Sequence, residues 1–262
     1  MGMDMILIPV LVYIGVVAFA LLRSERMIFV PHPPDGKYEN TFAFTASDGT
    51  ALRGRHMPND DAVFTILYSH GNAEDLVDIE PSLKELHDWG FAVFSYDYRG
   101  YGLSEGIPSV EGTYKDVAAA HRYLTGTLGV PPDRIIVLGR SVGGGPSTYL
   151  AETHPVAGLV LQSTFLSTYR VMTRYPLLPF DKFPNIRRIK KLHIPILVIH
   201  GTRDGVIPFH HGEGLFRTAN EPKQSLWLDG AGHNFMSDEH TELLRQALCE
   251  FADKIPRPPQ EQ

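Results

Sequence analysis

After Pro34 the sequence alternates between short apolar runs and longer stretches with helical periodicity, and this alternation restricts the possible folds more than any other feature. The runs are almost continuously apolar, as expected of strands covered on both faces. They cover Val63–Tyr68, Phe91–Tyr96, Ile135–Leu138, Val156–Leu161, Ile196–Ile199 and Ser225–Leu228. The helical stretches lie near Leu76–Trp89, Ser109–Leu128, Gly144–His154, His211–Ala219 and Ser237–Lys254. This order predicts an α/β fold, in which a mostly parallel sheet has helical crossovers on both faces.

Two further strand-like segments open the domain. Tyr38–Ala46 and Thr50–Pro58 flank Asp48-Gly49, a pair that suits a tight hairpin because glycine accepts a positive φ. We therefore expect one domain over residues 31–256 whose sheet begins with an antiparallel hairpin. Residues 163–193 interrupt the rhythm, since they are rich in aromatic residues and proline, and they predict a short cap insertion. A disordered tail is predicted over residues 257–262.

Length and composition exclude several classes of protein. The 262 residues fit one sizeable domain with an N-terminal appendage, and 43% hydrophobic residues supply a large core. The net charge of -6, without a long basic run, argues against a nucleic-acid partner, because such binding depends on neutralising phosphates. The single cysteine, Cys249, cannot form an internal disulfide, so a disulfide-stabilised secreted scaffold is not indicated.

The first thirty residues differ from the rest. Met5–Leu22 carries no charge and reaches the length at which a helix, rising ~1.5 Å per residue, crosses hydrocarbon. Ala18–Ala20 resembles a signal-peptide cleavage site, but no basic segment precedes the run, whereas Arg23 and Arg26 follow it. We predict a retained single-span membrane anchor over residues 1–30, with a cleaved signal or a helix packed on the domain as alternatives. The arginines favour a domain on the cytoplasmic side.

A second constraint comes from Gly139-Arg140-Ser141-Val142-Gly143, which fits G-x-S-x-G between a predicted strand and a predicted helix. A sharp strand-to-helix turn raises the serine hydroxyl above the sheet edge, and the flanking glycines avoid collisions with neighbouring elements. The motif also arises by chance in glycine-rich turns, so its partners decide its meaning. Two nucleotide-binding motifs fit worse: no Gly-Lys-Ser/Thr completes a phosphate loop, and Gly100–Gly106 misses the dinucleotide-binding spacing by one residue.

Later loops supply the partners that such a serine needs. A serine hydroxyl is a weak nucleophile until a base accepts its proton, and the base needs an acid that fixes its tautomer. Asp204 follows one predicted strand in ILVIHGTRDGVIP, and His233 follows the next in SLWLDGAGHNF. This chain order matches serine sites on strand-to-helix turns, and we predict Ser141 as nucleophile, Asp204 as acid and His233 as general base. Asp229 and Asp97 are the fallback acids.

The negative charge that develops on a substrate oxygen needs hydrogen-bond donors already in place. The backbone N–H of Val142, at the start of the predicted helix, supplies one and is aided by the helix dipole. The loop YSHGNAED after the third strand supplies the backbone N–H of Asn72 as the second. We expect His70 to brace this loop. No cofactor or metal is predicted, since His210-His211 lacks the H-E-x-x-H spacing of a zinc site.

The four segments that hold Ser141, Asp204, His233 and Asn72 together resemble the α/β-hydrolase superfamily of serine hydrolases. The resemblance covers nearly everything from Tyr38 to Lys254. More narrowly, five segments are similar to the branch of membrane-associated protein depalmitoylases and related single-pass hydrolases: SHGNAEDL, FSYDYRGYGLSEG, FDKFPNI, IHGTRDGVI and GAGHN. The resemblance implies the same triad and oxyanion-hole residues as above. One departure is the N-terminus. The cysteine-rich, palmitoylated segment of the depalmitoylases is replaced by apolar Met5–Leu22, which makes the anchored hydrolases the closer match.

The resemblance implies two-step acyl transfer on a carboxylic ester or thioester, with a small-molecule, lipid or otherwise acylated substrate and no metal ion. Substrate choice is expected to lie with the insertion, whose apolar side chains are candidates for an acyl pocket: Phe165, Leu166, Tyr169, Met172, Tyr175, Leu178 and Phe180. Half of them fit an ordinary core equally well. A serine peptidase or amidase, and a non-catalytic binding protein with a broken triad, are the alternatives.

Overall fold

The computed structural model describes residues 2–173, 177–234 and 237–256. Within these ranges the chain forms an eight-stranded sheet in the order β1-β2-β4-β3-β5-β6-β7-β8. The strands are β1 (Thr41–Thr45), β2 (Ala51–Met57), β3 (Thr65–Ser69), β4 (Ala92–Tyr96), β5 (Ile135–Arg140), β6 (Gly158–Gln162), β7 (Ile196–Gly201) and β8 (Lys223–Leu228). Strands β1, β2 and β4 pair antiparallel, and the remaining pairs are parallel. The predicted α/β fold and its N-terminal hairpin are confirmed.

Helices lie at the five predicted positions after Pro34, and the described part of residues 163–193 holds two further short helices that were not predicted. The helices are α1 (Gly2–Ile28), α2 (Glu80–Asp88), α3 (Val110–Gly126), α4 (Gly144–Thr153), α5 (Thr168–Thr173), α6 (Asn185–Ile189), α7 (His210–Thr218) and α8 (Asp238–Lys254). Two of the long helices begin at a serine whose Oγ accepts a backbone N–H of the first turn. Ser109 caps α3 by accepting from Gly112, and Ser237 caps α8 by accepting from His240.

The sheet is covered on both faces, because neighbouring residues of one strand enter two different hydrophobic clusters. On β5, Val137 belongs to one cluster together with Leu150 of α4. Its neighbour Leu138 belongs to the other, together with Leu83 of α2. The run Ser225–Leu228 departs from the prediction of burial on both faces. It lies in β8, at the edge of the sheet, where Leu228 is buried and Ser225 is exposed.

The N-terminal segment forms α1, most of whose described side chains before Ala20 are exposed. None of the described helices is by itself long and apolar enough to cross a membrane. The segments Leu7–Ala20 and Leu22–Ile28 reach that length and composition only as a pair, with a bend of 51° between them. The predicted single-span anchor is therefore not confirmed. The predicted disordered tail, residues 257–262, lies outside the described residues.

Candidate active site

The serine of the G-x-S-x-G motif lies on a strained turn. Strand β5 leads directly into Ser141, whose φ is 52°, a left-handed conformation that non-glycine residues rarely adopt. A single 3-10 turn, Ser141–Gly143, then leads into α4. Gly143 is required by close approach, since a methyl group there would lie 2.7 Å from the carbonyl oxygen of His70. The turn therefore packs tightly against the end of β3.

The three residues predicted as nucleophile, base and acid lie in one hydrogen-bonded chain. His233 Nδ1 is 2.8 Å from Asp204 Oδ2, and His233 Nε2 is 3.1 Å from Ser141 Oγ. An ionised carboxylate only accepts hydrogen bonds, so Nδ1 carries the proton and Nε2 is the free acceptor for the serine hydroxyl. The loops after β5, β7 and β8 bring these side chains to the carboxyl edge of the sheet, as their positions after strands predict.

Asp204 is held as a carboxylate by donors that surround it. Its Oδ1 accepts the backbone N–H groups of Val206 and Ile207, each at 2.8 Å. Burial alone would raise the pKa of this carboxyl, but hydrogen bonds from His200, His233 and Ile207 lower the pKa well below its ordinary value. His200 Nε2 lies 3.4 Å from Asp204 Oδ2. Sequence reasoning missed His200, because it ends a buried strand and carries no motif spacing.

The two predicted oxyanion donors lie on loops that leave adjacent strands. Strands β3 and β5 are parallel neighbours with Ser69 paired to Gly139, and Asn72 and Val142 each follow three residues later. The Asn72 side chain also has partners that its sequence motif did not predict. Its Oδ1 accepts the backbone N–H of Val30 at 3.0 Å, and its Nδ2 donates to the carbonyl of Ile28 at 2.7 Å.

A clamp around Arg140 joins three loops of the site. Its guanidinium donates through Nη1 to Glu74 Oε1 and through Nη2 to Asn234 Oδ1, the latter at 2.5 Å. The other oxygen of Glu74 accepts the backbone N–H of Gly71 at 2.8 Å. Arg140 thus connects the serine turn with the loops of Asn72 and His233. The motif treats this position as variable, so no pattern in the sequence marked it.

The fallback acids lie elsewhere. Asp229 Oδ1 accepts from the Thr202 hydroxyl at 3.0 Å. Asp97 is fully buried and accepts the backbone N–H of Leu76 at 2.8 Å. Burial, assisted by the nearby Asp75 carboxylate, raises the pKa of Asp97 to about 8. His70 lies beside it and donates from Nδ1 to the Gly71 carbonyl at 2.8 Å, a contact that fits the predicted bracing role.

The candidate acyl-pocket residues fall into different environments. Phe165 and Leu166 are buried in the hydrophobic core. Tyr169 is half-buried, donates to the Ala20 carbonyl at 3.0 Å and meets the ring of half-buried Phe180 edge to face at 6.1 Å. Leu178 is also half-buried. The Met172 side chain and all of Tyr175 lie outside the described parts of the structure.

Among the described residues, one group has donors close enough to hold a metal ion: His32, Asp75 and Asp78. These side chains are paired with each other, with His32 Nε2 at 2.9 Å from Asp78 Oδ2 and 3.7 Å from Asp75 Oδ2. The group shares no residue with the chain of Ser141, His233 and Asp204.

Comparisons with known proteins agree with this architecture. A family model described as "Serine aminopeptidase, S33" matches residues 60–182. Human alpha/beta hydrolase domain-containing protein 17B is 40% identical over 203 residues, which cover 75% of this chain and 69% of the relative. The protein of the same name from Xenopus tropicalis is 41% identical over 203 residues, with the same coverage. The Pyrococcus furiosus esterase Pf2001 superposes with a TM-score of 0.72 at 19% identity, covering 86% of this chain and 98% of the esterase. This last likeness is one of fold.

Proposed function

Because the chain belongs to the α/β-hydrolase superfamily, in the branch of alpha/beta hydrolase domain-containing protein 17B, and is a hydrolase, we propose that it cleaves carboxylic esters or thioesters as a serine hydrolase. Ser141, His233 and Asp204 form the triad in this proposal. The observation that carries it is the unbroken hydrogen-bonded chain from the Asp204 carboxylate through the imidazole to the serine hydroxyl.

In the first step, Ser141 Oγ attacks the carbonyl carbon while His233 Nε2 accepts the hydroxyl proton. The carbonyl π electrons move to oxygen, and the resulting oxyanion accepts the backbone N–H groups of Asn72 and Val142. Collapse breaks the bond to the leaving oxygen or sulfur, which takes the proton from Nε2. The product is an acyl ester on Ser141 and a free alcohol or thiol. Asp204 stabilises the imidazolium throughout.

In the second step, water replaces the leaving group. His233 Nε2 accepts a proton from the water as its oxygen attacks the acyl carbon, and the same proton returns to Ser141 Oγ when the acyl–serine bond breaks. The products are a carboxylic acid and free enzyme. The residues of the triad suffice for every proton transfer in this scheme.

We also propose that the protein works on acylated or lipid substrates at a membrane surface. The part of α1 before Ala20 carries a series of large apolar side chains that are about half exposed, among them Leu7 at 51%, Leu11 at 57% and Ile14 at 55%. Such a row is unfavourable in water and favourable in the apolar boundary of a bilayer. The domain would then face the cytoplasm, on the side of the arginines that follow the apolar run.

A test of the membrane proposal keeps the full chain and changes only this face. Leu11→Glu combined with Ile14→Glu should move the protein from the membrane to the soluble fraction in the absence of detergent. The matched control, Glu111→Gln with Glu105→Gln, alters exposed charge elsewhere and should leave the distribution unchanged. Equal membrane content for all three proteins would contradict the proposal.

The second candidate is a serine peptidase or amidase, which is favoured by the description of the matching family model. The triad could serve either reaction, because the two differ chiefly in the leaving group. Turnover of matched p-nitrophenyl esters, acyl thioesters and p-nitroanilides separates them. We expect esters and thioesters to be cleaved much faster, and preferential anilide cleavage would replace our proposal with this alternative.

A fluorophosphonate probe tests the nucleophile directly. Wild-type protein should be labelled, and Ser141→Ala should not, while Ser82→Ala on the exposed side of α2 is the matched control that keeps labelling. Removal of one member of such a triad should lower turnover by roughly 10⁴- to 10⁶-fold. Labelling that persists in Ser141→Ala would refute the assignment.

A further inference from the structure

We infer that residues 28–30, at the end of α1, position the oxyanion loop through the side chain of Asn72. The N-terminal helix is then a working part of the active site as well as a surface element. The inference deepens the proposed function and rests on it. It assigns a positioning role to the Asn72 side chain, to Tyr101 and to the backbone of the segment that follows α1.

The first support is the pair of hydrogen bonds between Asn72 and this segment. Nδ2 of Asn72 donates to the carbonyl of Ile28 at 2.7 Å, and Oδ1 accepts the backbone N–H of Val30 at 3.0 Å. Ile28 is the last residue of α1, where carbonyl groups have no partner within the helix. The side-chain amide of Asn72 therefore provides a hydrogen-bond partner for the carbonyl group of Ile28 and for the backbone N–H of Val30.

The second support is that two buried aromatic residues flank this contact. The Tyr101 hydroxyl donates to Asn72 Oδ1 at 2.6 Å and accepts the Val30 N–H at 3.1 Å, and Tyr101 is 1% exposed. Between the two bonded backbone groups, Phe29 is 5% exposed, and its ring meets that of Phe183 edge to face at 6.1 Å. Phe29 and Tyr101 are thus inserted into the domain and hold the segment in place, while Val30 itself is 52% exposed.

The third support is the position of the same residue in the proposed mechanism. The backbone N–H of Asn72 is the proposed oxyanion donor, and the next residue, Ala73, has a left-handed φ of 53°. The Ala73 N–H donates to Asn72 Oδ1 at 3.1 Å. The side chain that binds the end of α1 therefore also binds the peptide unit that follows the donor. A shift of such a donor by a fraction of an ångström weakens its bond to the transition state.

The end of α1 is itself seated by other parts of the domain. Glu25 Oε1 accepts from Lys182 Nζ of the insertion at 2.6 Å and from the backbone N–H of Val110, at the start of α3, at 3.3 Å. Tyr169 of the insertion donates to the Ala20 carbonyl at 3.0 Å. The placement of α1 is therefore linked both to the insertion and to the oxyanion loop.

The experiment uses the full chain with Asn72→Asp, Tyr101→Phe and a matched control, Tyr123→Phe. The aspartate keeps an acceptor for Val30 and loses the donor to Ile28, while Tyr101→Phe removes only one hydroxyl. Tyr123 packs on Phe42 at 4.9 Å, away from the site. We expect kcat on a p-nitrophenyl ester to fall ~10- to 100-fold for Asn72→Asp and ~3- to 10-fold for Tyr101→Phe, with KM changed less than about threefold. Tyr123→Phe should keep the wild-type kcat.

Lys182→Met tests the link through α1, because it removes the ion pair of Glu25 and leaves the oxyanion loop untouched. It should lower kcat modestly in the wild-type background and have little further effect in Asn72→Asp. Full additivity of the two changes would show that α1 does not act through Asn72.

The outcomes separate this inference from the function on which it rests. Wild-type protein that turns over no ester or thioester would remove the proposed function itself. Active wild-type protein, with kcat of Asn72→Asp and Tyr101→Phe within twofold of its value, would overturn the inference alone. A loss of kcat that merely follows the loss of folded protein, measured by circular dichroism at the assay temperature, would also overturn it, since a purely structural role predicts that result.

Discussion

The clamp around Arg140 gives a sharp prediction, because one side chain holds three loops of the site. Replacing it by methionine keeps most of the apolar stem and removes the bonds to Glu74 and Asn234. Both charged side chains are mostly shielded, with 15% of Arg140 and 23% of Glu74 exposed. Loss of a hydrogen bond to a charged group costs ~1.5–3 kcal/mol. Glu74 keeps its bond from Gly71, so we expect a loss of about 2 kcal/mol in the free energy of unfolding.

The expected effect on turnover is larger than this loss of stability explains. Asn234 adjoins His233, and Gly71 adjoins Asn72, so releasing the clamp loosens both the proposed base and a proposed oxyanion donor. Misplacement of catalytic groups by about 1 Å costs up to ~10²-fold in rate, and we expect kcat of Arg140→Met to fall ~10- to 100-fold. Arg140→Lys should be intermediate, since an ammonium group cannot reproduce the planar fork.

Arg188→Met is the matched control. Arg188, on α6, pairs with Glu152, with 19% and 16% of the two side chains exposed, and lies over the rings of Tyr114 and Tyr149. Its loss should lower stability by a similar amount and leave kcat unchanged. Ester turnover and urea unfolding at one temperature give both quantities. The reasoning fails if the two variants lose kcat equally, or if Arg140→Met loses stability alone.

Three further predictions address the turn, the acid and a buried carboxyl. Gly143→Ala forces a methyl group against the carbonyl of His70 and should abolish fluorophosphonate labelling or folding; a soluble, fully labelled variant would contradict the tight turn. Asp204→Asn should lower kcat ~10⁴-fold. Because the pKa of Asp204 is lowered in the folded state, its ionised form stabilises the protein above pH 3.8, and the stability advantage of wild type over Asp204→Asn should shrink as pH falls. The pKa shift of Asp97 has the opposite sign, since this pKa is raised from 3.8 to about 8. Between those pH values the folded state retains a proton that the unfolded chain loses, so the free energy of unfolding falls as the pH rises. Asp97→Asn should flatten that fall in urea unfolding at pH 5 and pH 9, and an unchanged slope would exclude this carboxyl as its source.

The sheet was predictable because burial on both faces leaves a direct mark on the sequence. Apolar runs such as Ile135–Leu138 become strands within a few residues of their predicted limits, because runs this short are typical of strands, whereas a buried helix needs a longer apolar stretch. The meeting of Ser141, Asp204 and His233 in one place was predictable for a related reason. Each follows a parallel strand, and parallel strands end at one edge. The order in which β4 lies between β2 and β3 depends on pairing across the chain and left no local signal.

The contacts that join the loops were not predictable. Arg140 reaches Glu74 and Asn234 only because three loops converge, and neither residue lies at a fixed spacing from it. The hydropathy pattern identifies Met5–Leu22 as one apolar segment. It does not indicate that the last turns of α1, which follow this segment, are hydrogen-bonded to the domain. The buried Phe29, a single aromatic residue after a helix, has the same composition signal whether it faces lipid, water or a core.

That buried ring has a practical consequence for anyone who shortens the protein to obtain a soluble domain. A chain that starts at residue 31 lacks Phe29, and emptying the site of a core phenylalanine costs ~3–5 kcal/mol in stability. It also leaves the amide of Asn72 without its partners on Ile28 and Val30. Inactivity of such a fragment would therefore report damage at the cut and not separation from lipid. A cut before Ala20 retains every one of these groups and is the informative place to begin.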